Sequence, residues 1–113
     1  MSSELELADG SWLALDEEGY LADWRAWSRE AAESFAAAEG LELDEARWEV
    51  LNILRDFYAE FEIAPPMRAL VKLLRERTGN DRLGSRELYR LFPGGPAKQA
   101  ARIAGLPRPV SCI

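Results

Sequence analysis

The sequence predicts a mainly α-helical fold: a small N-terminal β-hairpin, a compact bundle of about five short helices and an extended C-terminal arm. Three observations lead there. Between residues 20 and 104 apolar residues recur every three to four positions, in segments set off by Gly, Pro and Asn-Asp, which is helical spacing. Only the first fifteen residues carry leucines at strand spacing, around an Asp-Gly pair. The last nine hold Pro107 and Pro109, each of which fixes its own φ and pushes the residue before it toward extended conformations. A chain of 113 residues makes one domain with a single core. That domain is assigned to residues 1–104 and the arm to 105–113.

Leu5, Leu7, Leu13 and Leu15 flank Ala8-Asp9-Gly10-Ser11, and Asp-Gly is a strong hairpin signal. A ribbon over about residues 4–15 is marginal alone and must lean on helices. Asp16-Glu17-Glu18-Gly19 reads as a turn. Tyr20 through Glu39 is helical in character, and the sequence allows a break near Trp27-Ser28. Ser28 can cap the helical segment after it, but position 31 is Ala, so no capping box forms. Ala36-Ala37-Ala38 favours helix and Gly40 stops it. Trp24 and Trp27, three apart, read as core or staple residues.

Asp44 is the N-cap of the next helix, with Glu45 well placed for its dipole. Trp48, Leu51, Leu54 or Arg55, Tyr58 and Phe61 make its apolar stripe, which Phe57 broadens. This is the expected central helix. Pro65-Pro66 pre-sets another helix, with Met67, Leu70, Val71 and Leu74 on its buried side and Arg68, Lys72 and Arg75 on another face. Gly79-Asn80-Asp81 and Leu83-Gly84 mark a loop. Ser85 is expected to cap a short helix carrying Leu88, Leu91 and Phe92, which Pro93-Gly94-Gly95 ends. Those glycines lack the spacing of a phosphate-binding loop. A final helix runs from Pro96 to Ala104 and stops at Gly105, with Ile103 and Leu106 expected to pin its end to the core.

Composition narrows the chemistry. With 48% hydrophobic and 30% charged residues, the chain is globular and not disordered. No stretch approaches the roughly 18 to 20 apolar residues of a membrane span, and the first residues lack signal-peptide character. There is no histidine, which removes Ser-His and Cys-His nucleophile pairs and the commonest nitrogen ligand of zinc. No metal or other cofactor is expected. A single cysteine makes no internal disulfide and fits a cytoplasmic location.

The net charge of −6 conceals a division. Residues 1–67 hold seventeen acidic and four basic side chains, and residues 68–113 hold three acidic and ten basic. Either the halves complement one another within the fold, or the basic half faces acidic partners or nucleic acid and favours thiolate over thiol.

The only cysteine, Cys112, is the penultimate residue. A cysteine near a chain end can be incidental, but two alternating prolines beside it argue for a stiffened arm. Cys112 is the seventh residue after Gly105, a reach of about 23 Å at full extension. Such a thiol can enter another protein's active site, so Cys112 is read as carrying sulfur between partner enzymes. Arg108, Arg102 and Lys98 are the candidates to support its thiolate or to bind a partner, Lys98 and Arg102 standing four apart on one helical face. The adjacent Ile113 carboxylate opposes ionisation.

The stretch Leu91-Phe92-Pro93-Gly94-Gly95-Pro96-Ala97-Lys98-Gln99-Ala100-Ala101-Arg102-Ile103-Ala104-Gly105-Leu106-Pro107-Arg108-Pro109, closed by Cys112-Ile113, resembles the C-terminus of the DsrC/TusE family. Its members are small sulfur-trafficking proteins with a penultimate cysteine. Further similarity runs through Asp16 to Leu21, Glu39-Gly40, Trp48-Glu49-Val50, Arg55-Asp56-Phe57-Tyr58 and Pro65-Pro66-Met67-Arg68 to Leu70-Val71-Lys72. DsrC proteins proper pair the terminal cysteine with another eleven residues earlier, where this chain has Ala101. The resemblance therefore implies the single-cysteine, TusE-like branch. It implies that Cys112 accepts a persulfide sulfur from a TusBCD-like donor complex. It implies delivery to an MnmA-like tRNA thiolase for wobble-uridine 2-thiolation, with tRNA met only through that enzyme and the carrier a monomer or weak oligomer. The competing reading is a regulatory or nucleic-acid-binding module, with the short basic helices of residues 66–104 forming a helix-turn-helix-like surface.

Overall fold

Alternating leucines and the Asp-Gly turn make the first element. The computed structural model describes residues 3–109. β1 (Ser3–Glu6) pairs antiparallel with β2 (Trp12–Leu15), Leu5 opposite Leu13. Leu5, Leu13 and Leu15 pack toward the core, while Trp12 faces outward at 54% exposure. The ribbon leans on α1, as its marginal stability requires.

The segment Tyr20–Glu39 breaks at Trp27-Ser28, where the sequence allows it, but the part before the break is not the α-helix expected. The Asp16 carboxylate accepts from the Glu18 and Tyr20 N–H groups, and Asp23 accepts from the Arg25 N–H. Short acidic side chains that capture nearby N–H groups offer the backbone an alternative to helix. Tyr20 and Leu21 are buried without being helical, and Leu21 bridges back to Leu15. A single 3₁₀ turn follows at Trp24–Ala26, and α1 (Arg29–Ala38) begins only after Ser28, whose hydroxyl accepts from the Ala31 N–H. At its other end Gly40, at φ 73°, closes a Schellman turn: the Leu41 N–H donates to Ala36 and the Gly40 N–H to Ala37.

α2 (Glu45–Phe61) starts at Asp44, whose carboxylate accepts from the Arg47 N–H. Val50, Leu51, Ile53 and Leu54 are buried along it. Phe61 is not core: it is 54% exposed and tilts against Phe57 in the last turn, just before the chain leaves at Glu62. α3 (Met67–Thr78) follows with Pro66 at its N-cap, burying Leu70 and Leu74. α4 (Ser85–Leu91) is capped one residue earlier than expected, by Gly84, and the Ser85 hydroxyl makes no cap bond.

α5 (Pro96–Ile103) is the true centre and touches every other helix. Ala100, Ala101, Ile103, Ala104 and Leu106 have no exposed surface. Its alanines let neighbouring helices approach closely, so the eight residues of α5 become the axis on which the rest packs. The longer α2, expected in that place, flanks it. Among the described residues the architecture is thus five α-helices, one 3₁₀ turn and an antiparallel hairpin. Among the described residues no helix is long and apolar enough to cross a membrane.

Candidate functional site: the base of the C-terminal segment

A helix leaves its last carbonyls without partners inside the helix. At the end of α5 each of the last five is met. Ala100 accepts from the Ala104 N–H, while Arg102 and Ala101 accept from the Gly105 and Leu106 N–H groups in a second Schellman turn. The carbonyls of Ile103 and Ala104 are taken by side chains from much earlier in the chain. Trp27 Nε1–H donates to Ile103 at 2.9 Å, and the Arg55 guanidinium donates to Ala104 at 2.9 Å. Arg55 also donates to the Trp24 carbonyl at 3.2 Å. One side chain on α2 therefore fastens the 3₁₀ turn to the end of α5.

Arg55 is unusual in its surroundings. Its guanidinium carbon lies 4.2 Å from the ring centre of Trp27 and 5.2 Å from that of Trp24, and Trp24 is itself held edge-on against Tyr58. Burial pushes its pKa below the usual guanidinium value. Among the described residues no carboxylate pairs with it. Charge-assisted bonds, at roughly 1.5–3 kcal/mol each, and the indole faces, at about 0.5–2 kcal/mol, offset its desolvation.

Beyond this clamp the chain turns at Gly105, in the left-handed region at φ 74°. A Cβ there would collide with Trp27 Cδ1, so both backbone and space demand glycine. Leu106 is fully buried and Pro109 is buried. Between them Arg108 reaches the Glu18 carboxylate, ninety positions away in sequence. The chain is therefore held through Pro109. Three residues lead on to Cys112, at most about 10 Å of contour. Cys112 itself lies outside the described residues.

Arg102 and Arg108 converge on Tyr20. Burial raises the Tyr20 phenol pKa, and the two guanidinium charges oppose that rise. Arg102 stacks over the Tyr20 ring at 4.9 Å and lies 3.7 Å from the Glu39 carboxylate. Glu39 accepts from Gln99, which in turn accepts from the Gly94 N–H, fastening the start of α5 to the end of α1. Lys98 does not join the group. It is exposed and, among the described residues, has no ion-pair partner.

A family model described as DsrC like protein matches residues 8–113. The chain belongs to the DsrC-like family. It is 50% identical over 105 residues to Sulfurtransferase TusE of Salmonella typhimurium and 49% identical to Sulfurtransferase TusE of Escherichia coli K12, in each case across 93% of this chain and 96% of the relative. Its fold is similar to the solution structure of Allochromatium vinosum DsrC (TM-score 0.90, 44% identity, all of both chains). It is also similar to the crystal structure of the oxidized gamma-subunit of the dissimilatory sulfite reductase (DsrC) from Archaeoglobus fulgidus (TM-score 0.86, 41% identity, 98% of this chain and all of that one).

Within this DsrC-like chain, the clamp residues are the ones that spacing alone does not reveal. Trp24 and Trp27 read as core because three-residue spacing puts side chains on one helical face, yet neither lies in an α-helix. The stripe of α2 does not by itself decide between Leu54 and Arg55. The usable signal is an arginine standing within an apolar stripe. The basic face of α3 borders an open groove lined by Met67, Arg68, Val71, Lys72 and Ser85. Arg75 donates to the Leu83 carbonyl and Arg77 pairs with Asp56, so two of the helix's cations serve the fold.

Proposed function

We propose that this protein is a cytoplasmic sulfur carrier, a sulfurtransferase in which Cys112 is the sulfur-bearing residue. The supporting observation is the 50% identity, along 93% of the chain, to a protein named Sulfurtransferase TusE, with the family match reaching residue 113. In the loading step the Cys112 thiolate attacks the outer sulfur of a donor persulfide. The donor's S–S bond breaks, a new S–S bond forms on Cys112, and the donor leaves as a thiolate, with no net oxidation. Delivery repeats the exchange on an acceptor thiolate. Ala101, at the position of the family's second cysteine, is fully buried in α5, so no second sulfur competes intramolecularly for the persulfide.

The donor in this reading is a TusBCD-like relay complex and the acceptor an MnmA-like tRNA thiolase that makes 2-thiouridine at the wobble position. Of the three cationic candidates, Lys98 is the one left to face a thiolate or partner. Arg102 stands near Glu39 and Arg108 is held by Glu18. The helix-turn-helix alternative draws less support, because Arg75 and Arg77 are engaged and Glu76 and Asp81 line the same groove.

The test is intact-mass analysis after incubation with a persulfide-generating cysteine desulfurase and its relay proteins. Wild type should gain sulfur atoms, Cys112→Ser none, and Lys98→Gln should gain them more slowly. Equal sulfur on the Cys112→Ser protein would end the proposal.

A further inference from the structure

We propose that Arg55 and Trp27 are positioning residues for the reaction of Cys112. They hold the last two carbonyls of α5 and so set where, and in which direction, the Cys112-bearing terminus leaves the domain. The inference rests on reading Cys112 as a sulfur carrier and adds the means by which the sulfur arrives in register.

Three observations carry it. First, stability alone does not call for arginine at position 55. The site continues the apolar stripe of α2 and lies between two indoles, and well-packed apolar residues commonly equal or exceed buried charge in stability. What a guanidinium adds is direction. Its Nη1 donates to both the Ala104 and Trp24 carbonyls, and the plane of the group is fixed by the Trp27 and Trp24 rings it lies over.

Second, the exit is held more tightly than an anchor needs. All five final carbonyls of α5 are bonded, Gly105 turns left-handed against the Trp27 ring, and Leu106 is buried directly afterwards. Rotation of the segment about its base would break several of these contacts together.

Third, the leash beyond the anchor is short. Cys112 is the third residue after Pro109, at most about 10 Å of contour, so a change at the base carries through to the sulfur. A misplacement of about 1 Å between reacting groups can cost around 100-fold in rate.

Trp27→Phe removes one N–H and keeps a ring over Gly105, and Arg55→Lys keeps the charge without the planar group that lies over the two indoles. Both variants should react at Cys112 with iodoacetamide at the wild-type rate and load from inorganic polysulfide to the wild-type extent by intact mass. Delivery from the loaded protein to a purified tRNA 2-thiouridylase with unmodified tRNA should fall about tenfold or more. A nitroxide attached to Cys112, the sole cysteine, should broaden a different set of backbone amide signals in the variants than in wild type. Should Arg55→Lys fold poorly, Trp27→Phe alone bears the comparison. Wild-type delivery rates and an unchanged broadening pattern overturn the positioning role and leave the carrier reading standing. Failure of polysulfide to load the wild-type Cys112 overturns both.

Discussion

At the scale of single residues, two glycines in the same conformation separate backbone strain from packing. Gly40 and Gly105 have φ of 73° and 74° and each closes a Schellman turn. Around Gly40 a Cβ would meet nothing within 4 Å, whereas at Gly105 it would collide with the Trp27 indole. An L-residue in the left-handed region costs about 1–2 kcal/mol, and forced overpacking adds roughly 1–3 kcal/mol. Gly40→Ala should therefore lower the unfolding free energy by about 1 kcal/mol and Gly105→Ala by about 3 kcal/mol, read from denaturant titration. Equal losses would mean that the indole contact places no demand on position 105. Gly105 is recognisable in the sequence as a helix stop because its signal is local. Its second constraint is not, since it comes from a tryptophan 78 positions away in sequence. Arg55 is hidden for the same reason: spacing places it on a stripe, but only the fold brings two indoles and two carbonyls around it.

At the scale of elements, legibility follows whether a segment's hydrogen bonds close locally. The N-caps at Ser28 and Asp44 and the stop at Gly40 are readable because each is a bond between near neighbours in sequence. Tyr20–Ala26 is not, because Asp16 and Asp23 divert its N–H groups and Leu21 pairs with a strand. Asp44 offers the sharper test. Its pKa is lowered first by the Arg47 backbone N–H and further by the Arg47 guanidinium, so folding favours the charged form. A carboxyl depressed on folding stabilises above its unfolded pKa, and that contribution disappears as pH falls through the folded value. Asp44→Ala should cost about 1 kcal/mol at neutral pH, roughly 4 °C in thermal midpoint for a chain of this size. The gap from wild type should close progressively below about pH 4. Asp44→Asn, which keeps the cap acceptor, should lose less than Asp44→Ala at neutral pH. A gap that stays constant down to about pH 2, well under the ordinary carboxylate range, would show that the charge of Asp44 plays no part.

At the scale of the whole molecule, the charge division in the sequence is partly spent on closing the fold. Arg77–Asp56, Arg102–Glu39 and Arg108–Glu18 each join the basic half to the acidic half. The other ion pairs described span three or four residues. Such partly exposed pairs contribute only about 0–1 kcal/mol each, so they direct the halves together more than they hold them. The holding is done by burial and by the meeting of distant segments at one place. The 3₁₀ turn, the middle of α2 and the end of α5 come together at Arg55, and the chain stays in contact through Pro109. Gly105–Pro109 is then a structural part of the domain and more than the root of a tail. Comparing a chain ending at Pro109 with one ending at Ala104 isolates those five residues. Burial of Leu106 contributes about 1.5–3 kcal/mol, and each lost backbone hydrogen bond at the end of α5 about 1 kcal/mol. The shorter chain should melt at least about 10 °C lower, at roughly 4 °C per kcal/mol. Because the clamp couples segments remote in sequence, amide exchange should accelerate at Trp24–Trp27 as well as along α5. If the two truncations melted together, Leu106 would add nothing to the core, and the end of α5 would be held by the Arg55 and Trp27 bonds alone.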